Sequence, residues 1–128
     1  MTVLLDAHTF LWFVMGSPKL SGTARSLIEE QAQNKLVSAV TLWEIAIKHS
    51  LGRLTLNVPF DQIIPQQLNR NGFDVLNISL GHLNALIALP FHHRDPFDRL
   101  LIAQAVNEQF PIVSADVAFD SYDIKRIW

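Results

Sequence analysis

Four acidic residues stand where chemistry is possible: Asp6, Glu44, Asp98 and Asp116. They are far apart in the chain. Each falls at the end of an expected strand or on a helix that follows one. Carboxylates brought together repel and tend to hold protons, unless a cation removes that cost. Carboxylate and water ligands suit the hard ions Mg²⁺ or Mn²⁺. The chain has no cysteine, so thiolate metal sites, disulfides and a cysteine nucleophile are excluded.

Each acid also has a plainer role. Asp6 ends an apolar run and can cap the helix that follows. In HHRDPFDRLLIAQA, Asp95 fits an N-cap, Pro96 the first helical position and Asp98 the third, where both acids complement the helix N-terminus. Asp116 sits in the turn-compatible Ser-Ala-Asp. Glu44 is placed to pair with Lys48 four residues on, a contact worth about 0.3–0.5 kcal/mol. Its neighbours Trp43, Ile45, Ala46 and Ile47 argue for a largely buried helix, where a lone Glu needs a stronger partner. Taken singly the acids read as caps; taken together they read as a cation site. Asp120 and Asp123, in a polar stretch, read as surface residues.

The elements that must position these acids follow from the pattern of apolar residues. Residues 2–6 predict a short buried strand, and 7–15 a helix stopped by Gly16-Ser17-Pro18. Ser21 predicts an N-cap for a helix to about Gln33. A second strand is expected over 35–38 and a helix over 41–51, ended by Gly52. Residues 54–57 suggest a brief extended piece. A helix is expected from Pro59 to about Gly72, with Pro65 kinking it or delaying its start. A third strand covers 73–78, and Ser79 caps a helix to about Leu89. Residues 96–108 form the clearest helix. Strands over 111–114 and 123–127 complete the series. Alternating strands and helices predict an α/β fold with a mostly parallel sheet of four to five short strands flanked by helices. Ligands of such sheets bind beyond the carboxyl ends of the strands.

With 128 residues the chain suits a single domain, 1–128. It is 49% hydrophobic and 17% charged, enough apolar material to exclude disorder. The start MTVLLDAHTFLWFVMG lacks a basic region and is interrupted by Asp6 and His8, so it does not read as a signal peptide. No run approaches the roughly 18 apolar residues of a membrane span. A cytoplasmic protein is expected. The net charge of −2 does not support a nucleic-acid-binding surface by itself. Lys48, Arg53, Arg94, Arg99, Lys125 and Arg126 read as ordinary surface charge.

The chain resembles the PIN-domain ribonucleases, most closely the VapC-type toxins of bacterial toxin–antitoxin pairs. The resemblance spans essentially the whole chain. It rests on LLDAHTFLW, SAVTLWEIAIK, HRDPFDRLLIAQA and IVSAD, the third being the most specific. It implies that Asp6, Glu44, Asp98 and Asp116 gather at the carboxyl edge of the sheet and bind Mg²⁺ or Mn²⁺ for hydrolysis of RNA phosphodiester bonds. Asp6 and Asp98 would be principal ligands, with Asp116 and Glu44 completing the set. Asp95, Thr9, Ser38, Thr41 and Ser114 are candidates to hold ligands or water, although a cap or turn role is the simpler reading for each hydroxyl. His8, His92 and His93 read as loop or surface residues, since metal-dependent hydrolysis does not require them. Expected partners are RNA, a cognate antitoxin protein and a second copy of the chain; no membrane is expected. The cluster Phe10, Leu11, Trp12 and Phe13 serves either as an antitoxin contact or as core.

Alternatives remain open. One is a stand-alone PIN-type nuclease for RNA processing. Another is a phosphotransferase with an aspartyl nucleophile; His8 stands where that chemistry commonly needs a second acid. A third is a non-catalytic, PIN-like or receiver-like binding module. The third strand runs to Ser79 and not to an acceptor Asp, which disfavours it.

Overall fold

The computed structural model describes residues 1–128. Five parallel strands form one sheet: β1 (Thr2–Leu5), β2 (Asn34–Ser38), β3 (Phe73–Leu76), β4 (Ile112–Val113) and β5 (Arg126–Ile127), in the order β3-β2-β1-β4-β5. Helices α1 (Ala7–Met15), α2 (Gly22–Ser26), α3 (Ala39–Ser50), α4 (Phe60–Asn71), α5 (Leu80–Ala88) and α6 (Pro96–Glu108) provide the crossovers, and a 3₁₀ helix covers Val117–Ser121. Parallel neighbours need such crossovers, which is why the elements alternate. No helix is long and apolar enough to cross a membrane.

Alternation along β1 divides the core. Val3 and Leu5 pack with Phe10, Val37, Ile45 and Val113 on one face. Leu4 packs with Leu101, Ile102, Ile112 and Phe119 on the other. All three β1 side chains are fully buried, as a central strand covered on both faces requires. Phe10 is wholly buried, while Leu11, Trp12 and Phe13 pack on the same core as partly buried residues. Burying a side chain of this size contributes about 2–3 kcal/mol. Phe10 is therefore core.

The caps read from sequence form. Asp6, Ser21, Ser38, Ser79 and Asp95 each accept a backbone N–H in the first turn of the following helix. Gly16 and Gly72 end α1 and α4 in the left-handed conformation, at φ of 64° and 68°, which glycine adopts without a Cβ clash.

Four local expectations change. Residues 54–57 form no strand. Pro65 neither delays nor ends α4, which runs unbroken from Phe60. The proline removes a donor to the Asp61 carbonyl, but Asp61 is exposed and water can serve it. The segment after Ser21 ends two residues early, in a π turn over Leu27–Gln31 where the Ala32 N–H reaches the Leu27 carbonyl at 2.8 Å. The outer strands β4 and β5 are also shorter than their apolar runs, at two residues each.

Candidate functional site

Chain order reverses across the sheet between β1 and β4: β2 and β3 lie on one side of β1, β4 and β5 on the other. Crossovers leave in opposite directions there, opening a crevice beyond the carboxyl ends of the two strands. Asp6 follows β1 and Ser114 follows β4, with Leu5 and Val113 in register just before them. Asp6 and Ser114 are buried. The Ser114 Oγ donates to Asp6 Oδ2 at 2.6 Å, and the Thr9 N–H donates to Asp6 Oδ1 at 3.0 Å. Thr9 Oγ1 in turn donates to the Val113 carbonyl at 2.9 Å. Asp6 is thus held by the helix it caps and by the neighbouring strand.

Asp116 lies two residues beyond Ser114. Its N–H donates to Ser114 Oγ at 3.0 Å, and its Oδ1 accepts the Ala118 N–H at 3.0 Å. The cap anticipated from sequence is present here, and the second carboxylate oxygen makes no protein hydrogen bond. Asp120 belongs elsewhere: it takes both arms of the Arg126 guanidinium, at 2.9 and 3.1 Å, which holds its carboxyl below the usual range.

Helix α6 brings Asp95 and Asp98. Asp95 Oδ1 accepts the N–H groups of Phe97 and Asp98 at 2.9 and 3.2 Å. The Asp98 carboxylate accepts no hydrogen bond; its closest basic atom is His93 Nε2, 3.8 Å from Oδ2. Burial pushes the Asp98 carboxyl up to about 7, and the charges of Asp95, Glu44, Asp6 and Asp116 push in the same direction. Every acid singled out in the sequence therefore contributes to one electrostatic field centred on Asp98.

Glu44 corrects an expectation. Its helix is not buried all round: Trp43 is 56% exposed and lies edge-on to Phe97 at 4.9 Å. The ordinary pairing with Lys48 does form, at 2.7 Å, although the Glu44 side chain is only 12% exposed. The same helix face borders a cavity of about 300 Å³ that includes His8, Trp12, Lys48, Arg53 and Leu54. Two of the other basic residues are engaged within the protein. Arg99 is buried and donates to the carbonyls of Pro90 and Leu89, while Arg126 is engaged with Asp120.

Two anticipated hydroxyls make no hydrogen bond to the acids. Ser38 caps α3 through the Val40 N–H and donates to Gln104 Oε1. Thr41 is buried within α3. His93 is a loop residue, as read from sequence, and its half-buried ring packs beside Asp98. The proximity of HHRD to the α6 start was the available signal.

This donor set consists of carboxylate oxygens carrying excess negative charge, which matches the preference of a hard divalent cation. The side chains do not converge as they stand: no three of them could enclose an ion together.

A PIN-domain family model matches residues 3–125. Ribonuclease VapC22 of Mycobacterium tuberculosis (strain ATCC 25618 / H37Rv) is 31% identical over 116 residues, covering 90% of this chain and 87% of that protein. The crystal structure of VapBC2 from Rickettsia felis, bound to a DNA fragment from its promoter, superposes with a TM-score of 0.73 at 12% identity, covering 99% and 98% of the two chains. A toxin–antitoxin complex from Klebsiella pneumoniae gives a TM-score of 0.69 at 14% identity, covering 99% and 97%. At those identities the structures speak for the fold. The family model and the ribonuclease relative span nearly the whole chain, and on them the chain belongs to the PIN-domain family.

Proposed function

We propose that the chain is a metal-dependent endoribonuclease acting in the cytoplasm as the toxin of a toxin–antitoxin pair. Its full-length similarity to a ribonuclease supports the activity. The observation that carries the site is the Asp98 carboxyl, half-buried, without a hydrogen bond and within the field of four further acids at the switch point of the sheet. Excess charge of this kind weakens a fold unless a ligand offsets it.

Asp6 and Asp98 are the principal residues to hold Mg²⁺ or Mn²⁺, with Asp116 and Glu44 completing or orienting the set. A cation of this type activates water and offsets charge on the phosphate oxygens. The chain's own contribution is placement. Thr9 and Ser114 engage both oxygens of Asp6 and limit its rotation. Asp95 orders the first turn of α6 and so aims Asp98. Lys48 holds Glu44 until the site is filled. Asp98, with its carboxyl near 7, exchanges a proton for a cation around neutral pH.

The solved structures of this fold include toxin–antitoxin complexes, which supports an antitoxin partner. The cavity between α1 and α3, with Trp12 beside Glu44 and Lys48, is a suitable place for it. Leu80, Leu83, Ile87 and Phe91 lie exposed along α5 and just beyond it and support pairing with a second copy.

Purified chain is expected to degrade RNA with Mg²⁺ or Mn²⁺ and to stop with EDTA. Cleavage that ignores EDTA and survives Asp6→Asn overturns the metal mechanism. Expression of the chain alone is expected to arrest growth, and Asp98→Asn to relieve the arrest. Equal toxicity of that variant argues against a toxin acting through this site.

A further inference from the structure

His93 stands in the loop between α5 and α6, five residues before Asp98. Arg99 shapes this loop by gathering the Leu89 and Pro90 carbonyls and lying over the Phe91 ring at 4.0 Å. The His93 ring packs against Tyr122 and Phe119, with centroids 5.3 and 6.1 Å away. Tyr122 is buried. Its hydroxyl accepts the His93 backbone N–H at 3.2 Å and stands 3.0 Å from His93 Nδ1. A hydroxyl already accepting from an N–H has its own hydrogen left to give, and Nδ1 is the acceptor in reach. Nδ1 therefore accepts, and Nε2 carries the ring hydrogen.

That Nε2 is buried and has no hydrogen-bond partner, the one such side-chain atom in the molecule. Orphaned buried donors are rare and call for an explanation. The nearest acceptor group is Asp98, whose Oδ2 lies 3.8 Å away. A hydrogen bond needs about 3 Å, a gap that rotation of the Asp98 side chain can close.

We infer that His93 is a positioning residue for Asp98: its Nε2–H holds Oδ2 in the orientation that receives the divalent cation, and Tyr122 fixes the ring that does so. The inference rests on the proposed metal-dependent ribonuclease site. Carboxylates that ligate metals are themselves hydrogen-bonded, and loss of such a partner typically lowers metal affinity or activity about 10- to 100-fold. Packing alone would be satisfied by an apolar ring between Tyr122 and Phe119, with no buried nitrogen aimed at Asp98.

The test is Mn²⁺ binding by calorimetry on the full chain, alongside RNA cleavage kinetics. His93→Ala is expected to weaken Mn²⁺ binding by about 10- to 100-fold, and to lower kcat with KM for RNA little changed. His93→Gln retains an N–H donor and is expected to recover most of the affinity. Tyr122→Phe keeps the packing, loses the hydroxyl, and is expected to shift affinity in the same direction by a smaller factor. In an Asp98→Asn background, His93→Ala is expected to add nothing. A folded His93→Ala that binds Mn²⁺ as tightly as the parent overturns the inference. Should that variant fail to fold, a near-parental Mn²⁺ affinity in His93→Gln together with a weakened one in Tyr122→Phe supports the inference; two unchanged affinities overturn it. A parent chain that neither binds Mn²⁺ nor cleaves RNA brings down the ribonuclease reading itself, whereas a competent parent matched by its His93 variants removes only the role of His93.

Discussion

Helix α6 carries two polar clusters that are finished in different ways. In its first turn Asp98 faces four other acids and accepts no hydrogen bond. Two turns further on, Gln104 is wholly buried and every polar end is engaged. Its Oε1 accepts from Ser38, and its Nε2 lies 3.4 Å from both the Asn77 carbonyl and His82 Nδ1. His82, also buried, accepts the Ser79 N–H on Nδ1 at 3.0 Å and reaches Glu108 with Nε2 at 2.9 Å. The second cluster fastens α5, α6 and β2 to one another. The first leaves charge uncompensated within the same helix. A satisfied buried network stabilises and specifies a fold, whereas an unsatisfied one costs stability. The difference separates the part of α6 that holds the protein together from the part prepared for a ligand.

The largest expected effect breaks the ligand-ready end. Asp6→Asn or Asp98→Asn is expected to reduce Mn²⁺-supported RNA cleavage by about 10³-fold or more, about 4 kcal/mol of barrier, with the fold intact by circular dichroism. Cleavage within tenfold of the parent in both variants would remove these acids from the mechanism.

Next comes the fastening end. His82→Leu leaves the Ser79 N–H and Glu108 without their partner, and is expected to destabilise the chain by about 2–3 kcal/mol in urea unfolding. Cleavage per folded molecule should stay close to that of the parent. A loss of activity exceeding the loss of folded protein would erase the division between the two clusters.

A third experiment reads the charge directly. The Asp98 carboxyl lies well above its ordinary value, at about 7. The folded chain therefore binds more protons than the unfolded chain between about pH 4 and 7. The contribution of Asp98 to stability is complete below that window and is lost as pH rises through it. Asp98→Asn is expected to raise stability by about 1–2 kcal/mol at pH 8, after allowance for solvent screening, and by little at pH 4. Thermal melts at both values check the sign. A gain confined to pH 4 would contradict the shift. Mn²⁺ should bind the parent more tightly as pH rises toward 7, because the cation displaces the proton.

The smallest effect concerns Asp95, which serves both roles. Asp95→Ala removes the cap on the Phe97 and Asp98 N–H groups and is expected to cost about 1 kcal/mol in unfolding. It also removes the acid that acts most strongly on Asp98, so the Asp98 carboxyl should titrate lower by NMR. An unchanged Asp98 titration would confine Asp95 to capping.

Much of this arrangement was readable in advance. The caps at Asp6, Ser79 and Asp95 and the helix from Pro96 depend on residues within one turn of each other, so local spacing is sufficient to find them. The parallel sheet follows from alternating strands and helices. Reading failed where burial depends on the opposite surface. Trp43 stands in an apolar run yet is exposed, while Gln104, a polar residue in an apolar helix, is wholly buried. Glu44 is largely buried, as its apolar neighbours imply, yet Lys48 four residues on still reaches it. The short β4 and β5 show that an apolar run sets where a strand can form, not how long its neighbour allows it to be.

Sequence by itself determined the order of elements, their caps, and the placing of acids after β1 and β4 and at the start of α6. Those are local matters of backbone propensity and hydrogen bonding. Tertiary structure alone decided which acids share one field, that Ser114 holds Asp6 across 108 residues of chain, and that His93 points an unpartnered nitrogen at Asp98. Such contacts depend on how strands register and helices pack, and two segments distant in sequence carry no local sign of meeting.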